Sequence, residues 1–301
     1  MSWPATNAKA AMLRRLLGSA EPEFALEVHD GLSARIVERC GFPCLWASGL
    51  TLSTTHGVRD ASEVAWSEVI GRVELIVESA DVPVLVDGDT GHGDFNTARR
   101  FVRKLDRLGA AGVCLEDKLY PKLNSFVDGE HALAEVAEFC AKLAACKEHQ
   151  ESEDFVVIAR TEALIAGRSL EEALGRAHAY ARAGADAVMI HSRASVADEV
   201  VAFARSWDGD LPIVISPTTY GDTPAEVYRE SGISLVIWAN HTMRAAAAAM
   251  QRVAEEIRQR QSVGGLQAPI MSLEEIFALL DYEELDRAQA RSETFGRALV
   301  P

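Results

Sequence analysis

RLGAAGVCLED, residues 107–117, runs from the end of a helical stretch through a glycine into a short apolar strand that stops on two carboxylates. The same half-repeat recurs as ERCGFPCLWASG (38–49), RAGADAVMIHS (182–192) and ESGISLVIWAN (230–240). Gly41, Gly109, Gly184 and Gly232 fall where a helix C-terminus needs a left-handed residue before the chain turns. The strands that follow are apolar without alternation, as parallel strands covered on both faces should be. Collecting such runs yields FALEV (24–28), CLWAS (44–48), PVLVDGD (83–89), GVCLED (112–117), FVVIAR (155–160), AVMIHS (187–192), PIVISPT (212–218) and LVIWAN (235–240). Helix-length segments such as DEVVAFARSW (198–207) separate most of them. Eight strands in this alternation predict an α/β fold of the (β/α)8 TIM-barrel type rather than an open doubly wound sheet.

Two helical segments remain after the eighth strand, at about 243–261 and 272–293, the second opening on a capping box of Ser272 and Glu275. The expectation is one barrel domain spanning 1–301 with a helical extension over about 243–301. That extension packs either against a neighbouring subunit or on its own barrel, and sequence does not choose between them.

Of the 301 residues, 48% are hydrophobic, and the formal net charge is -15. That charge argues against a nucleic-acid or anionic-membrane partner. An anionic ligand would need a local reversal of that field, such as a divalent cation with a few basic residues. No apolar run approaches a membrane span, and the N-terminal stretch has no signal-peptide core. The five cysteines, Cys40, Cys44, Cys114, Cys140 and Cys146, lack metal spacing and read as reduced packing residues. The expected compartment is the cytoplasm.

Ser48, Asp87, Asp89, Glu116, Asp117, Arg160, Glu162, His191 and Asn240 all fall at or just past predicted strand C-termini. In this fold those ends form the catalytic mouth. Asp87 and Asp89 are two residues apart, so an extended strand would put them on one face, and Glu116 adds a third carboxylate. Three carboxylates without an interleaved thiolate or imidazole suit Mg2+ or Mn2+. Alternatively, the aspartates cap the next helix and Glu116 pairs with a lysine. Gly91 and Gly93 permit a tight turn, and His92 reads as a loop residue rather than a ligand. Lys122, Arg160 and His191 would reach the same mouth as cations. Arg160 within a strand needs a partner, either Glu162 or a substrate carboxylate or phosphoryl group. Asp60 reads first as a helix N-cap, with Glu63 three residues on completing a capping box, and otherwise as a functional carboxylate.

WASGL, GVRDASEVAW, DGDTGHG, LEDKLYPKLNSF, VIARTEALIAG, MIHSR and VIWANHTMRA follow one another in an order and spacing that resemble the isocitrate lyase/phosphoenolpyruvate mutase superfamily, and within it the phosphoenolpyruvate mutases. The resemblance implies Mg2+, with Mn2+ as a substitute, on Asp87, with Asp89 and Glu116 acting through its waters. It implies Asp60, Lys122, Asn124, Arg160 and His191 as catalytic residues. Trp46, Ser48, Gly49, Leu50, Asn124, Ser125 and Arg160 would bind the substrate, with Lys122 and Asn124 on a gating loop. The implied reaction interconverts phosphoenolpyruvate and 3-phosphonopyruvate by phosphoryl transfer within one molecule, uphill toward the C–P bond. Superfamily C–C lyases carry K-x-C-G-H where this chain has Lys122-Leu123-Asn124-Ser125-Phe126, so the acid/base thiol is missing. Phosphonopyruvate hydrolases have threonine where this chain has Asn124. The alternatives are therefore phosphonopyruvate hydrolysis or, further off, C–C lysis. Gly88, Asp94, Thr161, Leu123 and Tyr120 depart from the usual mutase pattern. The resemblance further implies a small anionic substrate and a homo-oligomer, a tetramer or a helix-exchanging dimer.

Overall fold

The computed structural model describes residues 7–266 and 270–299. Eight parallel strands close into a barrel in sequence order: β1 (Glu23–Val28), β2 (Cys44–Ala47), β3 (Val84–Asp87), β4 (Gly112–Glu116), β5 (Val156–Thr161), β6 (Ala187–Ile190), β7 (Ile213–Ile215) and β8 (Ile233–Trp238). The helices are α1 (Ala8–Leu17), α2 (Gly31–Arg39), α3 (Gly49–Thr55), α4 (Trp66–Glu78), α5 (Phe95–Arg107), α6 (Val136–His149), α7 (Leu170–Arg182), α8 (Asp198–Ser206), α9 (Ala225–Glu230), α10 (His241–Arg260), α11 (Leu273–Leu279) and α12 (Tyr282–Leu299). All eight expected strands are present. The four repeat glycines take φ of 89°, 89°, 98° and 74°, the left-handed turn that their position after a helix demands.

Strand parity decides what each side chain sees. Cys44, Trp46, Leu85, Cys114, Ile158, Met189 and Val214 fill the barrel interior, closed at its N-terminal end by Ala10, Leu13 and Leu17 of α1. Their neighbours Leu45, Val84, Val86, Val113, Leu115 and Val157 face outward against the helices. Continuing the inward parity by two residues reaches Ser48, Asp87, Glu116, Arg160, His191 and Ser216 at the C-terminal mouth. The outward parity carries Asp117 to the other side. There Asp117 accepts from Tyr180 Oη (2.6 Å), the Glu162 backbone N–H (2.8 Å) and Thr161 Oγ1 (3.1 Å), and pairs with Arg176 (3.2 Å). Asp117 therefore holds α7 to the barrel and leaves the mouth to Glu116.

By its internal contacts the chain divides into two compact units, Met1–Met243 and Arg244–Pro301. The expected helix over 272–293 is interrupted: α11 and α12 meet at Asp281, whose φ of 52° cannot continue a helix. The Ser272–Glu275 capping box forms as expected, with reciprocal bonds of 3.1 Å and 2.7 Å.

Candidate active site

A cavity of about 50 Å3 sits at the barrel mouth, bordered by Trp46, Ser48, Leu50, Asp60, Asp87, Glu116, Lys122, Asn124, Ser125, Phe126, Arg160, Met189 and His191, with Ser216, Thr218, Ala239 and Asn240 on the far wall. Nearly every residue singled out from sequence thus converges on one small space. Of the expected catalytic, substrate-binding and metal-binding residues, two lie just behind it. Gly49 and Asp89 line a second, smaller void with Asp87, Ser53, Ser62 and His92.

The two aspartates approach each other by a different route from the one expected. Asp87 ends β3, but Asp89 leaves the strand in a left-handed conformation, φ 48°, so the pair does not share an extended face. The Asp89 carbonyl accepts from the Glu116 backbone N–H (2.7 Å), which carries the β3–β4 pairing around the turn. Gly49 makes room for the pair: a Cβ there would lie 2.8 Å from Asp89 Oδ1 and 3.2 Å from Asp87 Oδ2. Its N–H donates to Asp87 Oδ2 (3.1 Å). Burial, with Asp89 beside it, pushes the Asp87 carboxyl up to about 6. Burial and the charges of Asp60 and Glu116 do the same for Asp89, against the pull of Lys122.

Two oxygens of this carboxylate group lack a hydrogen-bond donor. Asp89 Oδ1 and Glu116 Oε1 are buried without a hydrogen-bond partner. Lys122 Nζ lies 2.9 Å from Asp89 Oδ1, close enough for an ion pair but off the direction of a hydrogen bond. Orphaned, all-oxygen donors of this kind fit a hard divalent cation. The fit is to a hydrated one. Among the described residues no three acidic, histidine or cysteine side chains converge closely enough to hold a metal together, and Mg2+ keeps several of its waters.

Asp60 proves not to be an N-cap. Helix α4 begins six residues later, with Glu68 accepting from the Ala65 N–H (3.0 Å), and Glu63 turns to Arg59 instead. Asp60 is 8% exposed and takes Lys122 Nζ on Oδ1 (2.6 Å) and Asn124 Nδ2 on Oδ2 (2.6 Å). Burial alone would raise its pKa, but Lys122 and Asn124 outweigh burial and hold Asp60 below the ordinary carboxylate value. Both donors come from the segment joining β4 to α6. Its base is zipped by Leu119 N–H to Ala132 O (2.9 Å), and its tip is fastened by Lys122 N–H to Ser62 Oγ (3.0 Å).

Arg160 finds the partner that sequence proposed and more. Its Nε donates to Glu162 Oε1 (2.5 Å), and its Nη2 lies 3.4 Å from Glu116 Oε2 and 2.8 Å from His191 Nδ1. Glu162 also accepts from Ser125 Oγ (2.5 Å) and pairs with Lys118 Nζ (3.1 Å). Burial disfavours its charge, but Arg160, His191 and Lys118 together hold its carboxyl well below the usual range. His191 Nδ1 also lies 2.8 Å from Glu162 Oε1. Nδ1 thus stands between a permanent donor, Arg160 Nη2, and an acceptor, Glu162 Oε1. Burial, reinforced by Arg160, keeps the ring below its ordinary pKa and so neutral near pH 7.

Lys118, Ser216 and Thr218 escaped the sequence reading. Lys118 is 3% exposed and ties Ser125 Oγ (2.6 Å) and the Leu123 carbonyl (2.9 Å) to Glu162. The inward parity of β4 would have placed it over the mouth, two residues past Glu116.

A family model described as phosphoenolpyruvate phosphomutase matches residues 13–258. The chain belongs to the phosphoenolpyruvate phosphomutase family. The phosphoenolpyruvate phosphomutase of Streptomyces hygroscopicus is 50% identical over 283 residues, spanning 94% of this chain and 90% of the relative. The crystal structure of the phosphoenolpyruvate phosphomutase from Streptomyces platensis subsp. rosaceus matches with a TM-score of 0.91 at 39% identity, covering 94% of this chain and 98% of that one. A phosphonopyruvate hydrolase in complex with oxalate and Mg2+ matches with a TM-score of 0.88 at 36% identity, over 94% and 98% of the two chains.

Proposed function

We propose that the chain interconverts phosphoenolpyruvate and 3-phosphonopyruvate, with Mg2+, or Mn2+ in its place, at Asp87. The observation that carries this is the pairing of Asn124 and Lys122 with Asp60 across the cavity mouth. Those three groups close over a space already walled by Arg160 and His191. Phosphoryl transfer through a loose transition state asks the protein chiefly to position and to neutralise charge. It also asks the site to exclude water, which would capture the phosphoryl group.

Each side chain has a task of that kind. Asp87 would hold the cation directly, and Asp89 and Glu116 its waters. When bound, the cation would supply Lewis-acid charge to an anionic substrate. Trp46, Ser48, Gly49 and Leu50 seat the three-carbon body. Arg160 presents its guanidinium, and His191 its ring, to the phosphoryl oxygens. Glu162, Lys118 and Ser125 fix the angle of that guanidinium. Asp60 stays ionised and keeps Lys122 and Asn124 over the cavity, where Phe126 stacks edge-on against His191 at 5.5 Å.

The segment 122–126 holds no thiol for lyase chemistry. Asn124 rather than threonine, and the 50% identity to a phosphomutase against 36% to a hydrolase, favour the mutase over hydrolysis. The test is phosphorus NMR of the protein with 3-phosphonopyruvate and Mg2+. Growth of the phosphoenolpyruvate resonance supports the reading. Inorganic phosphate with pyruvate makes the chain a hydrolase, and no turnover removes both.

The C-terminal unit exposes Met250 (66%), Leu273 (72%), Leu285 (58%) and Phe295 (68%). We assign these side chains to contacts with further copies of the chain in a dimer or tetramer. The described helices include none long and apolar enough to cross a membrane. All five cysteines are unpaired thiols, which suits a reducing, cytoplasmic compartment.

A further inference from the structure

Lys142, on α6, is 6% exposed, yet its ammonium meets no carboxylate in its hydrogen bonds among the described residues. It donates instead to two backbone carbonyls, Thr90 O at 2.8 Å and Gly93 O at 3.0 Å. Both carbonyls belong to the turn that follows β3 and carries Asp89. That turn is costly in backbone terms: Asp89 and His92 both lie in the left-handed region, with φ of 48° and 58°, where residues with a β-carbon are uncommon. Inside the turn the Gly91 N–H donates to Gly88 O (2.8 Å) and the Asp89 N–H reaches Asp87 Oδ1 (3.4 Å). Gly91 lies flat against α5, where a Cβ would meet Ala98 Cβ at 2.6 Å and Lys142 Cδ at 3.6 Å. Burying an ammonium for two neutral acceptors is unfavourable by itself, and burial does lower the Lys142 pKa. A substitution to an apolar residue would be the cheaper solution for packing alone.

We infer that Lys142 is a positioning residue for the cation site: its clamp on the Thr90 and Gly93 carbonyls holds the left-handed turn that brings the Asp89 carboxylate beside Asp87. This rests on the reading of Asp87 and Asp89 as the cation's anchor. Groups that orient a metal ligand without touching the metal change affinity by roughly 10- to 100-fold when removed.

The experiment compares Mn2+ binding, followed by electron paramagnetic resonance and by calorimetry, in the wild type, Lys142→Met and Lys142→Gln. A control is Lys147→Met, which removes a lysine of the same helix that serves Asp186 (2.8 Å). Lys142→Met should weaken Mn2+ binding about 10- to 100-fold, while kcat recovers at saturating metal and far-ultraviolet circular dichroism is unchanged. Lys142→Gln keeps one donor and should fall between; it carries the comparison if the methionine variant does not fold. Lys147→Met should lower Tm and leave Kd alone. A Kd equal to wild type in the Lys142 variants overturns the inference and spares the cation reading. A wild type that binds neither Mn2+ nor Mg2+ overturns the cation reading, and the inference with it.

Discussion

Replacing Asp60 by asparagine removes one charge and almost no volume. In the structure it breaks the ionic component of two short contacts, Lys122 Nζ at 2.6 Å and Asn124 Nδ2 at 2.6 Å. Hydrogen bonds to a charged group contribute about 1.5–3 kcal/mol each. Lys122 keeps Asp89 at 2.9 Å, so it is not stranded, and the lower end of the range applies to it. Together the two contacts come to about 3 kcal/mol of closure over the cavity, which is roughly 10²-fold in kcat/KM at 1.4 kcal/mol per tenfold. Any contact of Asp60 with the moving phosphoryl group would add to that figure. The assay is steady-state conversion of 3-phosphonopyruvate at saturating Mg2+, run beside limited proteolysis of the 118–130 segment. Turnover should fall at least about 10²-fold and cleavage in the segment should quicken, with Tm nearly unchanged. A variant retaining more than about a tenth of wild-type kcat/KM would refute the idea that Asp60 closes the site.

Three further outcomes follow from the same geometry. Asp87 and Asp89 titrate near 6, above the usual carboxylate value; cation binding needs them ionised, so Mg2+ affinity should fall as pH drops through about 6. For the metal-free protein the sign reverses: raised carboxyl pKa values contribute stability that is present at low pH and lost as pH rises through about 6. The His92 and His191 rings, whose pKa values burial lowers, oppose that trend over the same range, so the readout is the gain in Tm when Mg2+ is added to chelator-treated protein, which should be larger at pH 7 than at pH 5. Gly49→Ala places a methyl group 2.8 Å from Asp89 Oδ1; calorimetry should show Mg2+ binding weakened at least tenfold, and unchanged affinity would mean the carboxylates have slack. Asn124→Ala should cost at least about tenfold in mutase rate through the lost contact with Asp60, and full rate would remove the argument that Asn124 separates mutase from hydrolase.

The barrel was legible because each βα unit repeats a local signal, a left-handed glycine followed by an apolar run. The mouth was legible because polar residues at strand ends stand out from such runs. Parity along a strand would have separated Glu116 from Asp117 and pointed to Lys118, since these residues alternate between interior and helix side. Asp60 was ambiguous for a physical reason. A carboxylate three residues before a glutamate caps a helix only if the chain is helical there, and α4 starts later. The break at Asp281 was masked by an apolar period that continues across it. Lys142 acts through partners supplied by another element, on carbonyls that no local pattern marks.

The central claim is that the phosphoryl group passes between carbon and oxygen inside one enclosed molecule. It is tested most directly by crossover: a mixture of unlabelled 3-phosphonopyruvate with material carrying both carbon-13 in its backbone and oxygen-18 on phosphorus, followed by mass spectrometry of the phosphoenolpyruvate formed. The structure predicts product that is either fully labelled or unlabelled. Singly labelled phosphoenolpyruvate, or oxygen-18 released as inorganic phosphate, would contradict it.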